Sequence, residues 1–280
     1  MTTTAPHETA AQKQHDLHSV LASGTRPAPA GPLTASAIFG HRTLLRIKHV
    51  PEQLFDVTAF PVMLTLMFTF LFGGALAGSV EAYIQFFLPG ILVQTVVMIT
   101  MYTGVALNTD ITKGVFDRIR SLPIWRPSAL VGALLGDAVR FGIASAVVIV
   151  LGLLLGFRPE GGVLGVLAGV ALLLVFSFSI GWAWTLLGLI LRTPNSVMGS
   201  SMMVLFPLTF ASNIFVRPET MPGWLQAFVG VNPVSHLVTG VRGLMHGTAT
   251  SGDVLLVLAW CLALVAVFGP LTMYRYSRRV

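Results

Sequence analysis

The chain has 280 residues, 54% of them hydrophobic and only 10% charged, and its mean hydropathy is +0.80. Solid apolar runs of this kind exclude an ordinary soluble enzyme, and the lack of residue-by-residue alternation excludes a membrane β-barrel. The net charge of +6 invites a nucleic-acid partner, but the placement of the basic residues along the chain points to a lipid bilayer and to no nucleic acid.

Residues 1–33 are polar, rich in Thr, Ala and Pro, and carry no apolar core, so they read as a disordered cytoplasmic tail. No apolar h-region follows their charges, which argues against a signal peptide. His15, Asp16 and His18 lie close together there without further ligands nearby, and no metal site is expected. Residues 34–55 read as an amphipathic interface helix. Ile38, Leu45 and Phe55 supply an apolar side, and His41, Arg42, Arg46, Lys48 and His49 a basic one. Such a helix lies in the headgroup layer.

The remainder, 56–280, reads as one all-α polytopic transmembrane domain of six transmembrane helices. The predicted spans are 57–77, 83–107, 128–157, 163–191, 196–216 and 254–274, with Pro61 near the inner end of the first. The third is longer than one crossing needs. Asp137 and Arg140, three residues apart in it, share a helical face and form an interfacial salt bridge. Of the 17 Lys and Arg, all but Arg140, Arg158, Arg217 and Arg242 fall in the tail, the inner loops or the C-terminus. That bias puts both termini in the cytoplasm. Between spans five and six the chain is apolar but broken at Asn232-Pro233, and each piece is too short to cross. The segment reads as a re-entrant outer helical hairpin, with a loosely packed outer loop as the alternative.

Residues 109–127 form a charged island between spans two and three. Lys113, Arg118, Arg120 and Arg126 face Asp110 and Asp117. Ile111, Val115, Phe116 and Ile119 recur at helical spacing, and Pro123 and Pro127 end the helix. The order Asp110, Lys113-Gly114, Asp117-Arg118, Leu122-Pro123 resembles the cytoplasmic loop of ABC-2-type transporter permeases, most closely their daunorubicin-resistance branch. Trp224, Asn232-Pro233 and Arg242 resemble the outer hairpin of the same family. The resemblance implies a coupling helix that docks on a separate ATPase through Asp110, Lys113, Gly114, Val115, Phe116, Asp117, Arg118, Arg120, Leu122 and Pro123. Thr112 stands where the larger family usually carries glutamate.

The chemistry that is missing fits that resemblance. None of Lys13, Lys48 and Lys113 ends a G-x-x-x-x-G-K-[ST] loop, so ATP and Mg are expected in a partner ATPase and no cofactor in this chain. No catalytic residue is proposed, and Cys261, the single cysteine, reads as a packing residue. Gly132 and Gly136, Gly152 and Gly156, and Gly161, Gly165 and Gly169 repeat at intervals of four and mark close helix packing. Phe68, Phe72, Met98, Met101, Phe178, Trp182 and Met202 are candidate cargo-facing residues. The implied protein is the permease of a plasma-membrane ABC exporter of hydrophobic drugs, antibiotics or lipid-like cargo. It works with two ATPase copies and a second permease copy or paralogue. A proton-coupled secondary transporter is the first alternative; transport would then collapse with an uncoupler at constant ATP. A non-transporting membrane scaffold is the second, and it would bind no ATPase.

Overall fold

The computed structural model describes residues 31, 34, 38, 40–41, 51–74, 78–114 and 128–278. The expected tail at 1–33 lies outside the described residues except for residue 31. Of the interface helix before residue 51, only positions 34, 38, 40 and 41 are described, and these are helical. Among the described residues every regular element is helical.

Helix α1 (Pro51–Met67) continues into a π-turn at Phe68–Phe72. Pro61 sits inside it, and the Thr65 hydroxyl donates to the Pro61 carbonyl at 2.7 Å. Helix α2 (Val80–Ile99) begins at Ser79, whose side chain accepts from the Ala82 amide. It passes through Thr100 almost directly into α3 (Met101–Thr112). The two make a rod of 33 residues, roughly 50 Å long at 1.5 Å per residue. Helices α4 (Ser128–Leu154) and α5 (Gly162–Ile190) follow, then α6 (Pro194–Phe210). A 3₁₀ turn at Pro218–Thr220 leads to the short α7 (Gly223–Val231) and α8 (Pro233–His246), and α9 (Ser251–Arg278) closes the chain.

Four of these helices are long and apolar enough to cross a membrane: Val80–Thr112, Val131–Leu154, Gly162–Ile190 and Ser251–Arg278. They correspond to predicted spans two, three, four and six. The fifth span differs from its expectation. Its helix stops at Phe210 instead of reaching residue 216, and Ala211–Val216 is irregular yet largely buried. Pro207 has already removed one backbone donor from the last turn. The Asn232 side chain then takes the carbonyls of Leu208 and Ala211, at 2.8 and 3.0 Å. With those acceptors satisfied from outside, the helix gains little from another turn.

The α2 rod is the centre of the bundle. Ile84, Phe87, Ile91, Val93, Val96 and Val97 along it are fully buried. Tight crossings lie around it. A methyl on Gly90 would sit 2.8 Å from the Ile214 carbonyl oxygen, so only glycine lets the irregular 211–216 segment lie against α2. Phe68, Phe87, Phe210 and Phe215 stack around this point; the Phe68 and Phe215 ring centroids are 4.9 Å apart. The predicted glycine row also finds its partner. Gly161 and Gly165 face the Leu244 carbonyl of α8, and Gly169 faces Val241 and Met245. Cys261 is buried in α9.

Candidate functional site

One end of the bundle gathers the ends of α3, α5 and α9. Helix α3 closes on Gly114, whose φ of 67° is the left-handed cap that glycine adopts without strain. The Gly114 and Lys113 amides donate back to Ile111 and Thr109. Asn108, one turn earlier, donates to the Gly188 and Leu191 carbonyls at 2.9 and 2.7 Å. It thereby satisfies two acceptors that the end of α5 leaves open. Leu189 and Tyr276 pack with Leu107, Ile111 and Met273 and tie in α9. Lys113, Arg192, Arg275 and Arg278 therefore share this end, with Lys113 exposed and Asp110 half-buried beside it. Val115, Phe116, Asp117, Arg118, Arg120, Leu122 and Pro123 of the charged island lie outside the described residues.

The expected ion pair forms between Asp137 and Arg140 at 2.7 Å, and both partners are buried between α3 and α4. The Thr103 hydroxyl also donates to the Asp137 carboxylate, and the Arg140 guanidinium lies 5.7 Å from the Tyr102 ring centre. Asp137 is thus engaged by both Arg140 and Thr103.

At the opposite end, Asn232 caps two helices at once. Its side-chain oxygen accepts from the Val234 amide at 2.9 Å to start α8, while its nitrogen closes α6. Pro233 occupies the first turn of α8, where a missing amide costs nothing. Helix α8 then repairs α2. Pro89 cannot donate to the Gln85 carbonyl four residues back, and His246 Nε2 donates to that oxygen at 2.9 Å. Arg242, one turn before, donates to the Phe86 carbonyl at 3.1 Å and the Asn213 carbonyl at 3.0 Å. Its guanidinium lies 3.9 Å from the Phe86 ring centre. Trp224 on α7 is 74% exposed. Asn232, Pro233 and Arg242 are therefore joined in one bonded assembly, and Trp224 stands apart on the surface.

A groove of about 630 Å³ opens on the side of the bundle between α1, α2, the start of α3 and α6. Three of the predicted cargo-facing residues meet there, Met98, Met101 and Met202, joined by Phe60, Met63 and Phe206. The other four lie elsewhere. Phe68 belongs to the aromatic cluster, Phe72 is exposed beside it, and Phe178 and Trp182 meet edge to face on α5. Sequence reasoning missed Gln94, which lines the same groove, and Asn108, which joins α3 to α5. The available signal was their chemistry, since amides are rare inside so apolar a run.

The sequence profile of the ABC-2 type transporter family matches residues 36–246. The chain is 54% identical over 263 residues to the daunorubicin resistance ABC transporter permease protein DrrB1 of Streptomyces coeruleorubidus, covering 94% of this chain and 93% of that one. It is 21% identical over 245 residues to a probable doxorubicin resistance ABC transporter permease protein, DrrC, of Mycobacterium tuberculosis, covering 85% and 88%. Similarity also extends to the putative transport permease ycf38 of Cyanophora paradoxa, 28% identical over 211 residues, or 72% and 71% of the two chains.

Proposed function

Because the chain belongs to the ABC-2 type transporter family, we propose that it is the membrane permease of an ATP-driven exporter that extrudes hydrophobic drug, antibiotic or lipid-like cargo. Six spans cross the plasma membrane: α1 with its π-turn, the α2–α3 rod, α4, α5, α6 and α9. The α7–α8 hairpin enters from the outer side, and both termini are cytoplasmic. A second permease, identical or paralogous, completes the pathway. Two copies of a separate ATPase supply ATP and Mg binding, for which this chain has no P-loop.

The observation that carries this reading is the continuity of α2 and α3. The rod runs from the buried centre of the bundle to Lys113-Gly114, at the threshold of the charged island. Asn108 locks its last turns to α5. A push delivered to the island by a docked ATPase therefore acts on the central helix and on α5 together. The proton-coupled alternative needs a titrating group at membrane depth, and Asp137, its candidate, is already engaged by Arg140 and Thr103.

The test is gentle purification from membranes followed by inside-out vesicle transport. An ATP-hydrolysing subunit should accompany the permease, and daunorubicin uptake should require ATP and survive an uncoupler. Uptake that collapses with the uncoupler at constant ATP overturns the assignment in favour of a proton-driven carrier.

A further inference from the structure

Of the four helices long enough to cross a membrane, α9 is the least covered: 17% of its most apolar stretch is buried by the rest of the chain. Val267, Leu271, Tyr274 and Arg278 follow one another at spacings of four, three and four, so they share one face of it. Val267, Leu271 and Tyr274 are 54%, 47% and 49% exposed. This face is therefore an apolar track that leads to an aromatic ring and then to a cation. Where the track ends, α9 and the end of α5 border a recess of about 330 Å³, lined by Leu189, Ile190, Tyr274, Arg275 and Arg278. Leu189 is buried against Tyr276, whereas both arginines are exposed. The Arg278 guanidinium lies 4.3 Å from the Tyr274 ring centre. Among the described residues neither arginine is paired with a carboxylate.

We propose that this recess binds the headgroup of an anionic phospholipid, held as a resident lipid and not as cargo, with its chains lying along the exposed face of α9. The proposal is independent of what the permease exports and in which direction. A phosphate complements guanidinium forks that no carboxylate neutralises. Tyrosine at the end of an apolar track is the side chain that favours the headgroup level of a bilayer. A soluble anion would engage the arginines and leave Val267 and Leu271 bare, whereas a phospholipid uses both halves of the face. The recess stands at the low end of small-molecule sites, roughly 300–1,000 Å³, which suits a headgroup better than a larger ligand. Basic residues in the last turn also offset the negative end of α9, and exposed Arg192 adds to the charge nearby. A bound lipid differs from that general attraction because it depends on the recess and not on total charge.

The full-length permease, delipidated in mild detergent, is titrated with phosphatidylglycerol and with phosphatidylcholine of the same chains, and bound lipid is counted by native mass spectrometry. Phosphatidylglycerol should bind more tightly. Arg275→Gln and Arg278→Gln should each weaken it about fivefold, the effect of one basic side chain at an anionic headgroup, and leave phosphatidylcholine unchanged. Arg192→Gln removes the same charge from the same end but outside the recess, and should leave both lipids unchanged. Arg278→Lys should recover only part of the loss, because an ammonium keeps the charge without the planar fork that stacks on Tyr274. Inorganic phosphate should fail to displace the bound lipid.

Equal losses from Arg192→Gln and Arg278→Gln would reduce the site to diffuse positive charge and overturn the proposal. Equal affinity of the wild type for the two lipids would do the same. Displacement by inorganic phosphate would assign the recess to a soluble anion instead. Exclusion of phosphatidylglycerol by an added ATPase subunit, with Arg278→Gln weakening that subunit's binding, would assign it to protein docking.

Discussion

The crossing of α3 and α5 gives the sharpest quantitative prediction. A methyl added at Gly104 would sit 2.2 Å from the Trp184 carbonyl oxygen and 2.8 Å from its carbon. One added at Gly188 would meet the Gly104 oxygen at 2.5 Å. The obstructing atoms are backbone, so no rotamer change relieves them, and Gly104→Ala must push the helices apart by roughly 1 Å. Overpacking of this kind costs about 1–3 kcal/mol. The same displacement strains the Trp184 indole bond to Thr100 at 2.8 Å and the Asn108 bonds to Gly188 and Leu191. Each of these bonds contributes about 1 kcal/mol. Where all three bonds break, a total loss of about 4–6 kcal/mol is expected, read from denaturant midpoints of the purified protein. Gly142 in α4 is the matched control, since a methyl there meets nothing within 4 Å. Gly142→Ala should stabilise by up to about 1 kcal/mol through helix propensity alone. A Gly104→Ala protein as stable as the wild type would refute the backbone contact, and with it the coupling of α3 to α5.

Asp137→Leu alone should strand the Arg140 guanidinium and cost about 3–5 kcal/mol, while adding Arg140→Met should restore most of that loss; the same denaturant midpoints decide it. Arg242→Met should cost about 2–4 kcal/mol by releasing the Phe86 and Asn213 carbonyls, and hydrogen exchange should rise first at residues 211–216. Reversing the charge at Asp117 or Arg118 should remove about 2–5 kcal/mol of docking energy, seen as loss of the co-purifying ATPase with membrane insertion intact; retained ATPase and efflux would withdraw the docking assignment. Gly114→Val should fray the end of α3, where φ is 67°, and reduce ATP-driven efflux without changing protein abundance.

The long helices were legible because each is an apolar run bounded by Gly, Pro or charge. The pairing of Asp137 with Arg140, the break at Asn232-Pro233 and the close packing of Gly161, Gly165 and Gly169 were legible because each depends on local spacing. What each helix faces was not. In a soluble helix the polar side marks the solvent, but here lipid-facing and protein-facing residues are equally apolar, so no periodicity distinguished buried Phe176 from exposed Val175. The early end of α6 escaped notice for a related reason. Nothing within residues 196–216 announces that an amide at Asn232 will take over the carbonyls of the last turn. Gln94 and Asn108 carried a visible chemical signal, but only the fold shows that one is buried without hydrogen-bond partners and the other is consumed in bonds.

The proline in α2 has a mechanical corollary. Its orphaned Gln85 acceptor is served by α8 through His246, and Arg242 of α8 also donates to the Phe86 carbonyl beside it. Peeling α8 away would leave the Gln85 oxygen without its donor, a penalty of about 1–3 kcal/mol. The half of the central rod that begins at Val80 and α8 therefore travel as a single block, and whatever bending the rod undergoes is concentrated beyond it, at the Thr100 joint.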